Sequence, residues 1–388
     1  MSTLRVDAIR HNSATSDAIT TASDGTCTAR ITGMTGGGQL SHRNIIINGA
    51  MQVAQRGTSS TTSGYSTVDR FSNQHSGADE APTYAQVDVA SGTTPYTLGF
   101  RKAVKITNGN QTSGAGGTDL VVIKQIIEAQ NVAQSGWNYN SSSGYITLSF
   151  WIKSSVAQAF SGNLRTSDGT AYVYKYDTPS LSADTWTKVT KTISGNSNLT
   201  FNNDNGEGLV FHIYPFIGTD YTTSNSDTET WLAASSANYA NDMTSTWWTT
   251  NDATCEVTGL QLEVGSVATD FEHRSFGQEL ALCQRYFYVS GTPSGGGGLF
   301  MYDSGATSAS YGSLRFTQTM RATPTVVLRD NNGNTDGKAT QHGAAHDIAA
   351  TAADINTNGF SKVNKSSGNW TTGAGCPIIC GCTADAEL

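Results

Sequence analysis

Between Lys191 and Arg274 the chain carries no lysine or arginine but eleven carboxylates: Asp204, Glu207, Asp220, Asp227, Glu229, Asp242, Asp252, Glu256, Glu263, Asp270 and Glu272. Interleaved with them are Tyr221, Trp231, Tyr239, Trp247 and Trp248. That mixture suits sugars. A flat aromatic face stacks on the apolar side of a sugar ring, and carboxylates bond the hydroxyls around its rim. The segment from Asp220 to Trp248 is therefore the expected glycan-binding region. Tyr221, Trp231, Tyr239, Trp247 and Trp248 would be its stacking surfaces, and Asp220 and Asp242 its hydroxyl partners. The competing expectation is a polar loop whose aromatics pack on the body of the protein or at a subunit interface. Exposure of the three tryptophans decides between the two.

The same carboxylates are hard oxygen ligands of the kind Ca2+ collects. Asn202-Asn203-Asp204-Asn205-Gly206-Glu207 is the most oxygen-rich loop. Asp204 and Glu207 are thus the candidate ligands of a structural Ca2+, with ordinary Asx turns as the alternative; no EF-hand spacing is present. Soft ligands cluster in His342 and His346 and in Cys376, Cys380 and Cys382. The spacing Cys-x3-Cys-x-Cys is not that of a zinc ribbon, and small buried thiols are the expectation. A nucleophile elbow, a Walker loop and a His-Glu-x-x-His helix are all missing from the sequence. No stacked short repeat would build a parallel β-helix of the glycan-cleaving kind. A non-enzymatic protein is expected, with acid-pair glycan cleavage as a matter of carboxylate separation.

The elements that must hold such residues follow from composition. Of 388 residues, 42 are Ser, 53 Thr, 41 Gly and only 7 Pro, and charged residues are 14% against roughly 25% in typical soluble domains. Thr and aromatics suit half-buried strands, while Gly, Asn and Ser suit turns. The chain reads as mostly β. A net charge of −8 argues against binding a phosphate backbone, so no nucleic acid partner is expected. No apolar run approaches the length of a membrane helix, so no membrane insertion is expected either. Arg5, Asp7 and Arg10 interrupt any signal-peptide core at the N-terminus. Six cysteines are too few for a disulfide scaffold, which points to assembly in a reducing compartment.

Strand signals recur from Asn44 to about Arg274. In residues 144–153, Ile146, Leu148, Phe150 and Ile152 alternate with Tyr145, Thr147, Ser149 and Trp151, the pattern of a half-buried strand. Residues 187–193 repeat that style. Residues 209–214 are apolar on both faces, as in a central sandwich strand. Residues 255–264 alternate with a register change at Gly259, read as a bulge. Residues 120–131 fit either strand or helix. The spacing suits a jelly-roll-like β-sandwich over 44–274. Residues 1–43 are poor in large apolar side chains and end in a Gly-rich joint. They are expected to dock on a partner or a sister chain, with Leu4–Val6 and Ala18–Thr20 as short strands; a disordered leader is the alternative. Residues 276–285 read as a short helix. It leads into a smaller C-terminal β-sandwich within 275–388, with strands at 313–316, 324–329 and 359–363.

Three segments resemble a known family. Asn44-Ile45-Ile46-Ile47-Asn48-Gly49-Ala50-Met51-Gln52-Val53-Ala54-Gln55-Arg56-Gly57-Thr58, followed by Asp69-Arg70-Phe71, is one. Residues 261–274, from Gln261-Leu262-Glu263-Val264-Gly265 to Asp270-Phe271-Glu272-His273-Arg274 and on to Glu279-Leu280-Ala281-Leu282-Cys283-Gln284-Arg285-Tyr286-Phe287, are the second. Met320-Arg321-Ala322-Thr323-Pro324-Thr325-Val326 is the third. Together they resemble tail-fibre and receptor-binding proteins of bacteriophages, whose jelly-roll domain is similar to carbohydrate-binding modules. The resemblance implies a virion component, assembled in the host cytoplasm and forming a homotrimer. Residues 1–43 would attach to the phage tail or another virion protein, and the remainder would meet a host cell-surface glycan or protein. It implies attachment to the host through many weak sites. A structural adaptor, collar or head fibre is the second expectation, and a glycan-cleaving tail enzyme the third. The family motifs look structural, so no catalytic residue is carried over. Sugar-binding jelly rolls often hold a structural calcium, which adds to the interest of Asp204 and Glu207.

Overall fold

The computed structural model describes residues 8–9, 19–21, 23, 27–29, 42–223, 227–290, 299–301, 309–330, 332–341, 347–365 and 378–388. The chain is mostly β, as its composition demands. Residues 59–264 build two six-stranded antiparallel sheets packed face to face. The first, here the front sheet, has the order Trp231–Ala233, Tyr172–Asp177, Ser161–Thr166, Glu207–Ile217, Leu120–Glu128, Ser72–Ser76. The back sheet has the order Thr187–Ser194, Tyr145–Ser154, Thr254–Val264, Lys102–Thr107, Thr83–Asp88, Ser59–Ser60.

Period-two alternation decides which side chains meet between the sheets. Ile146, Leu148, Phe150 and Ile152 are fully buried and face Leu164, Phe211 and Ile213 of the front sheet in one core. Glu207–Ile217 is buried on both faces: Leu209, Phe211 and Ile213 meet the back sheet, and Tyr214 and Ile217 meet the loop residues Tyr221 and Tyr239 on the other side. The ambiguous run resolves as both: a strand over Leu120–Glu128, then a short helix over Ala129–Ala133. The bulge at Gly259 is real. Pairing with Tyr145–Ser154 slips between Thr258 and Gln261, and Gly259 has φ +65, which costs glycine nothing.

The helix Phe276–Gln284 starts at a reciprocal cap between Ser275 and Gln278, which satisfies two otherwise orphaned donors. It leads to a second β body with its own core of Leu314, Leu328, Phe360, Val363, Cys380 and Cys382. Its last strand, Ile378–Asp385, pairs with Phe287–Val289, Leu299–Met301, Thr325–Arg329 and Lys338–Gln341. Ala309–Arg315, Asp347–Asn356 and Gly359–Lys365 complete it. Near the N-terminus, Ala8–Ile9, Ile19–Thr21 and Cys27–Ala29 form a small antiparallel sheet. Leu4–Val6 lies outside the described residues.

The motifs that carry the family resemblance form the joint between the two bodies. Asn44 ties the chain entry to the back sheet, donating to Leu260 O at 3.0 Å and accepting from Leu262 N at 3.0 Å. Asn48 sits at φ +61, where its amide closes the turn through Val53 and Asp69. Arg70, 1% exposed, donates to Glu387 and lies 3.4 Å over the Tyr286 ring. Arg56 covers Phe287 at 3.5 Å and pairs with Asp385 and Glu387. Arg285 grips Glu128 at 2.9 and 2.8 Å. Fork-shaped guanidinium pairs of this kind fix orientation as well as proximity.

Candidate functional site

The described residues between Gly218 and Thr250 cross the outer surface of the front sheet and then close the end of the sandwich. Gly218 N donates to Asp119 O and Asp220 N to Gly117 O, which pins the start. Thr222–Thr223 runs beside Ala240–Asn241, and Trp231–Ala233 adds an edge strand to Tyr172–Tyr174.

The tryptophans expected to stack on sugars are core residues. Trp247 and Trp248 are 0% exposed and Trp231 is 9%. The helix Thr246–Thr249 drives Trp248 against Phe216, with centroids 5.0 Å apart, and its Nε1 donates to Gly114 O at 2.6 Å. Asn108 caps the same turn by donating to Trp247 O and Trp248 O. Trp231 packs on Tyr174 and donates to Ser194 O at 2.8 Å, bridging the edges of the two sheets. Large aromatics here seal an open end and an open edge of the sandwich, where exposed backbone would otherwise be left unpaired.

Tyr221, Tyr239, Asp220 and Asp242 remain at the surface. The two tyrosines are half-buried with nearly parallel rings, centroids 6.5 Å apart. Asp220 and Asp242 are exposed, and Asp242 accepts from Thr222 Oγ1 at 2.5 Å. The structure joins this group to residues that sequence reasoning missed. Asn163 Nδ2 donates to Tyr239 O at 2.7 Å and to Tyr214 Oη at 3.1 Å, while Asn163 Oδ1 lies 2.8 Å from His212 Nδ1. A carbonyl can only accept, so the amide orientation is fixed and Oδ1 must accept from His212 Nδ1–H. The neutral ring therefore keeps Nε2 as an acceptor. His212 and Tyr214 are stacked at 3° and 5.8 Å. In the ladder His212 is flanked by Lys124 on one side and Asn163 on the other. Burial, with Lys124 and Arg165 nearby, holds the His212 imidazole well below its ordinary range. Burial, with Arg165 in support, also lowers the Lys124 ammonium, against the pull of Glu207. Gln74, exposed on the edge strand, completes the rim.

The result is a strip across the outer front sheet: amide, ammonium, imidazole and phenol edges, then two tyrosine rings and two carboxylates. Asn163 and Tyr214 lie beneath the loop, 0% and 4% exposed, while Lys124, His212, Tyr221 and Tyr239 are half-buried and Asp220 and Asp242 exposed, so the accessible donors, acceptors and ring faces are those of these last six. The alternation of residues 207–217 was the available signal. It puts His212 and Tyr214 opposite the core-facing Phe211 and Ile213, and polar or aromatic side chains facing out of a central strand need a reason.

Asp204 and Glu207 each have partners in the protein. Asp204 accepts from Gly206 N in an Asx turn. Glu207 is taken by Arg165 at 2.7 Å and by Ser167. The loop instead docks on the second body, with Arg321 Nη1 donating to Asn205 O at 2.6 Å. Among the described residues, no three His, Cys, Asp or Glu side chains gather as a metal site. Cys380 and Cys382 are buried in the second core, which raises both thiols to about 12. His342, His346 and Cys376 lie outside the described residues.

No family model matches the chain, and no curated protein matches it. Among solved structures it is similar to the enzymatically active domain of tailspike protein 4 of bacteriophage CBA120, at 10% identity and a TM-score of 0.30, covering 57% of this chain and 21% of that one. It is also similar to the tripod from the baseplate of bacteriophage Tuc2009, at 10% identity and 0.26, covering 59% and 58%. A third is the family 11 carbohydrate-binding module from Clostridium thermocellum, at 11% identity and 0.24, covering 56% and 98%. The chain thus spans about a fifth of the tailspike domain. Likeness at these levels carries no functional argument, and the functional reading rests on the chain's own surface.

Proposed function

We propose that this chain is a phage tail protein that attaches the virion to the host surface by binding glycans through the outer front sheet. The observation that carries the reading is the half-buried Lys124–His212 pair, held from below by Asn163 and continuing into Tyr239 and Tyr221. Sugars need oriented hydrogen bonds and aromatic faces together; strands carry Lys124 and His212, and the loop pinned across them carries Tyr221 and Tyr239. Tyr239 and Tyr221 stack on ring faces. Lys124, His212 Nε2 and Asp242 bond hydroxyls. The protein acts by binding rather than by catalysis. Each site is open and weak, and a homotrimer, several to a virion, raises the effective affinity without new contacts.

The test is binding of full-length protein to surface polysaccharide immobilised from the host. Saturable binding that periodate oxidation of the sugar abolishes, and that Tyr239→Ala reduces by about tenfold or more, supports the reading. Binding unaffected by both treatments contradicts it.

A further inference from the structure

The back sheet carries a separate cavity of about 240 Å3 on its outer face. Trp151 forms one wall, on the outward register of Tyr145–Ser154, and is half-buried. Phe100, Phe271 and His273 form the other, with centroids 4.9 Å apart for Phe100–Phe271 and 4.9 Å for Phe271–His273. This wall is built rather than incidental. His273 Nε2 lies 2.9 Å from Leu98 O. Gly259 makes room for Phe100, since a Cβ there would stand 2.7 Å from Phe100 Cζ.

The polar groups are placed with equal purpose. Ser149 precedes Trp151 by two residues on the same strand face and is only 4% exposed. Its hydroxyl is not among the buried groups left without a partner, so it stays open to the cavity, where a purely apolar ligand would cover it unpaired. Asp270 and Lys188 stand exposed at the rim, and neither forms an ion pair among the described residues. The cavity is smaller than the roughly 300–1,000 Å3 of sites for drug-sized ligands, so it holds one ring. A purely apolar ring would leave Ser149 unpaired, and a small ion would leave the aromatic walls unused.

We infer that this cavity binds a single pyranose, as a second carbohydrate subsite on the sheet opposite the first. The C–H face of the sugar lies on Trp151 and Phe271, and its hydroxyls reach Ser149 Oγ and the Asp270 carboxylate. The ligand class rests on the glycan reading above, but none of that site's residues is used. Two sites on opposite faces would let one chain hold neighbouring glycan strands.

Saturation-transfer NMR on full-length protein tests this, with methyl α-D-glucopyranoside, methyl α-D-mannopyranoside, methyl β-D-galactopyranoside and N-acetylglucosamine as probes. The expected result is a saturable signal from at least one probe. Trp151→Ala should abolish it. Asp270→Ala, at an exposed position that does not threaten folding, should weaken it about tenfold, the worth of one charge-assisted hydrogen bond. Tyr239→Ala should leave it intact. The inference is overturned if no probe gives a saturable signal, if the signal survives Asp270→Ala unchanged, or if Tyr239→Ala removes it. A retained monosaccharide signal together with polysaccharide binding indifferent to Tyr239→Ala would overturn the front-sheet reading alone.

Discussion

His212 shows how one side chain links stability to the site. In the folded protein its imidazole is held neutral by burial and by Lys124 and Arg165, whereas an unfolded histidine titrates near about 6.5. The unfolded chain therefore takes up the proton first as pH falls. Stability is full above that value and declines as pH drops through it. Thermal melts from pH 8 to 5 should show this decline, and His212→Gln should flatten it; equal slopes in both proteins would contradict the assignment. The aromatic residues divide just as sharply. Trp248→Ala removes a fully buried indole and should cost about 3–5 kcal/mol of stability. Tyr239→Ala trims a half-exposed ring and should cost about 1 kcal/mol while weakening sugar binding. Denaturant melts of the two variants check the ranking. The reverse order would mean that Tyr239 supports the fold and Trp248 does not.

At the scale of elements, the joint between the bodies is a cluster of buried charges, and such clusters are costly to break from one side. Glu387→Gln leaves Arg70 buried with its carboxylate partner gone, a loss of about 3–5 kcal/mol. Calorimetry should then resolve two transitions where the native chain is expected to give one; a single unshifted transition would mean that the joint carries no coupling. The sequence spoke clearly about strands. Residues 187–193 alternate because one face meets the core and the other meets water, whereas the polar face of 144–153 is itself largely covered, with Thr147 and Ser149 buried, and Gly259 announced its bulge. It spoke poorly about the site. Tryptophans in an acidic loop read alike whether they stack on a ligand or seal a sandwich end, because composition does not record direction. Trp151 carried the better clue, an aromatic on the polar register of a clean strand. The joint was legible only as a resemblance, since Arg70 and Glu387 are 317 residues apart in the chain.

In the whole molecule two β bodies are locked by arginine–carboxylate pairs, with the proposed sugar-binding strip on one sheet of the first body and the proposed one-ring subsite on the other. Weak open sites suit a protein that works in several copies. Sedimentation of full-length protein should give a particle of three chains of 40.9 kDa each, and a monomer would remove the avidity on which attachment depends. The most direct measurement is competition for adsorption. Purified protein is added to host cells before the phage that encodes it, and free phage is counted. The account predicts a saturable fall in adsorption with the native protein and little fall with folded Tyr239→Ala. Adsorption unchanged by folded, oligomeric native protein would contradict host attachment and favour a structural place in the virion.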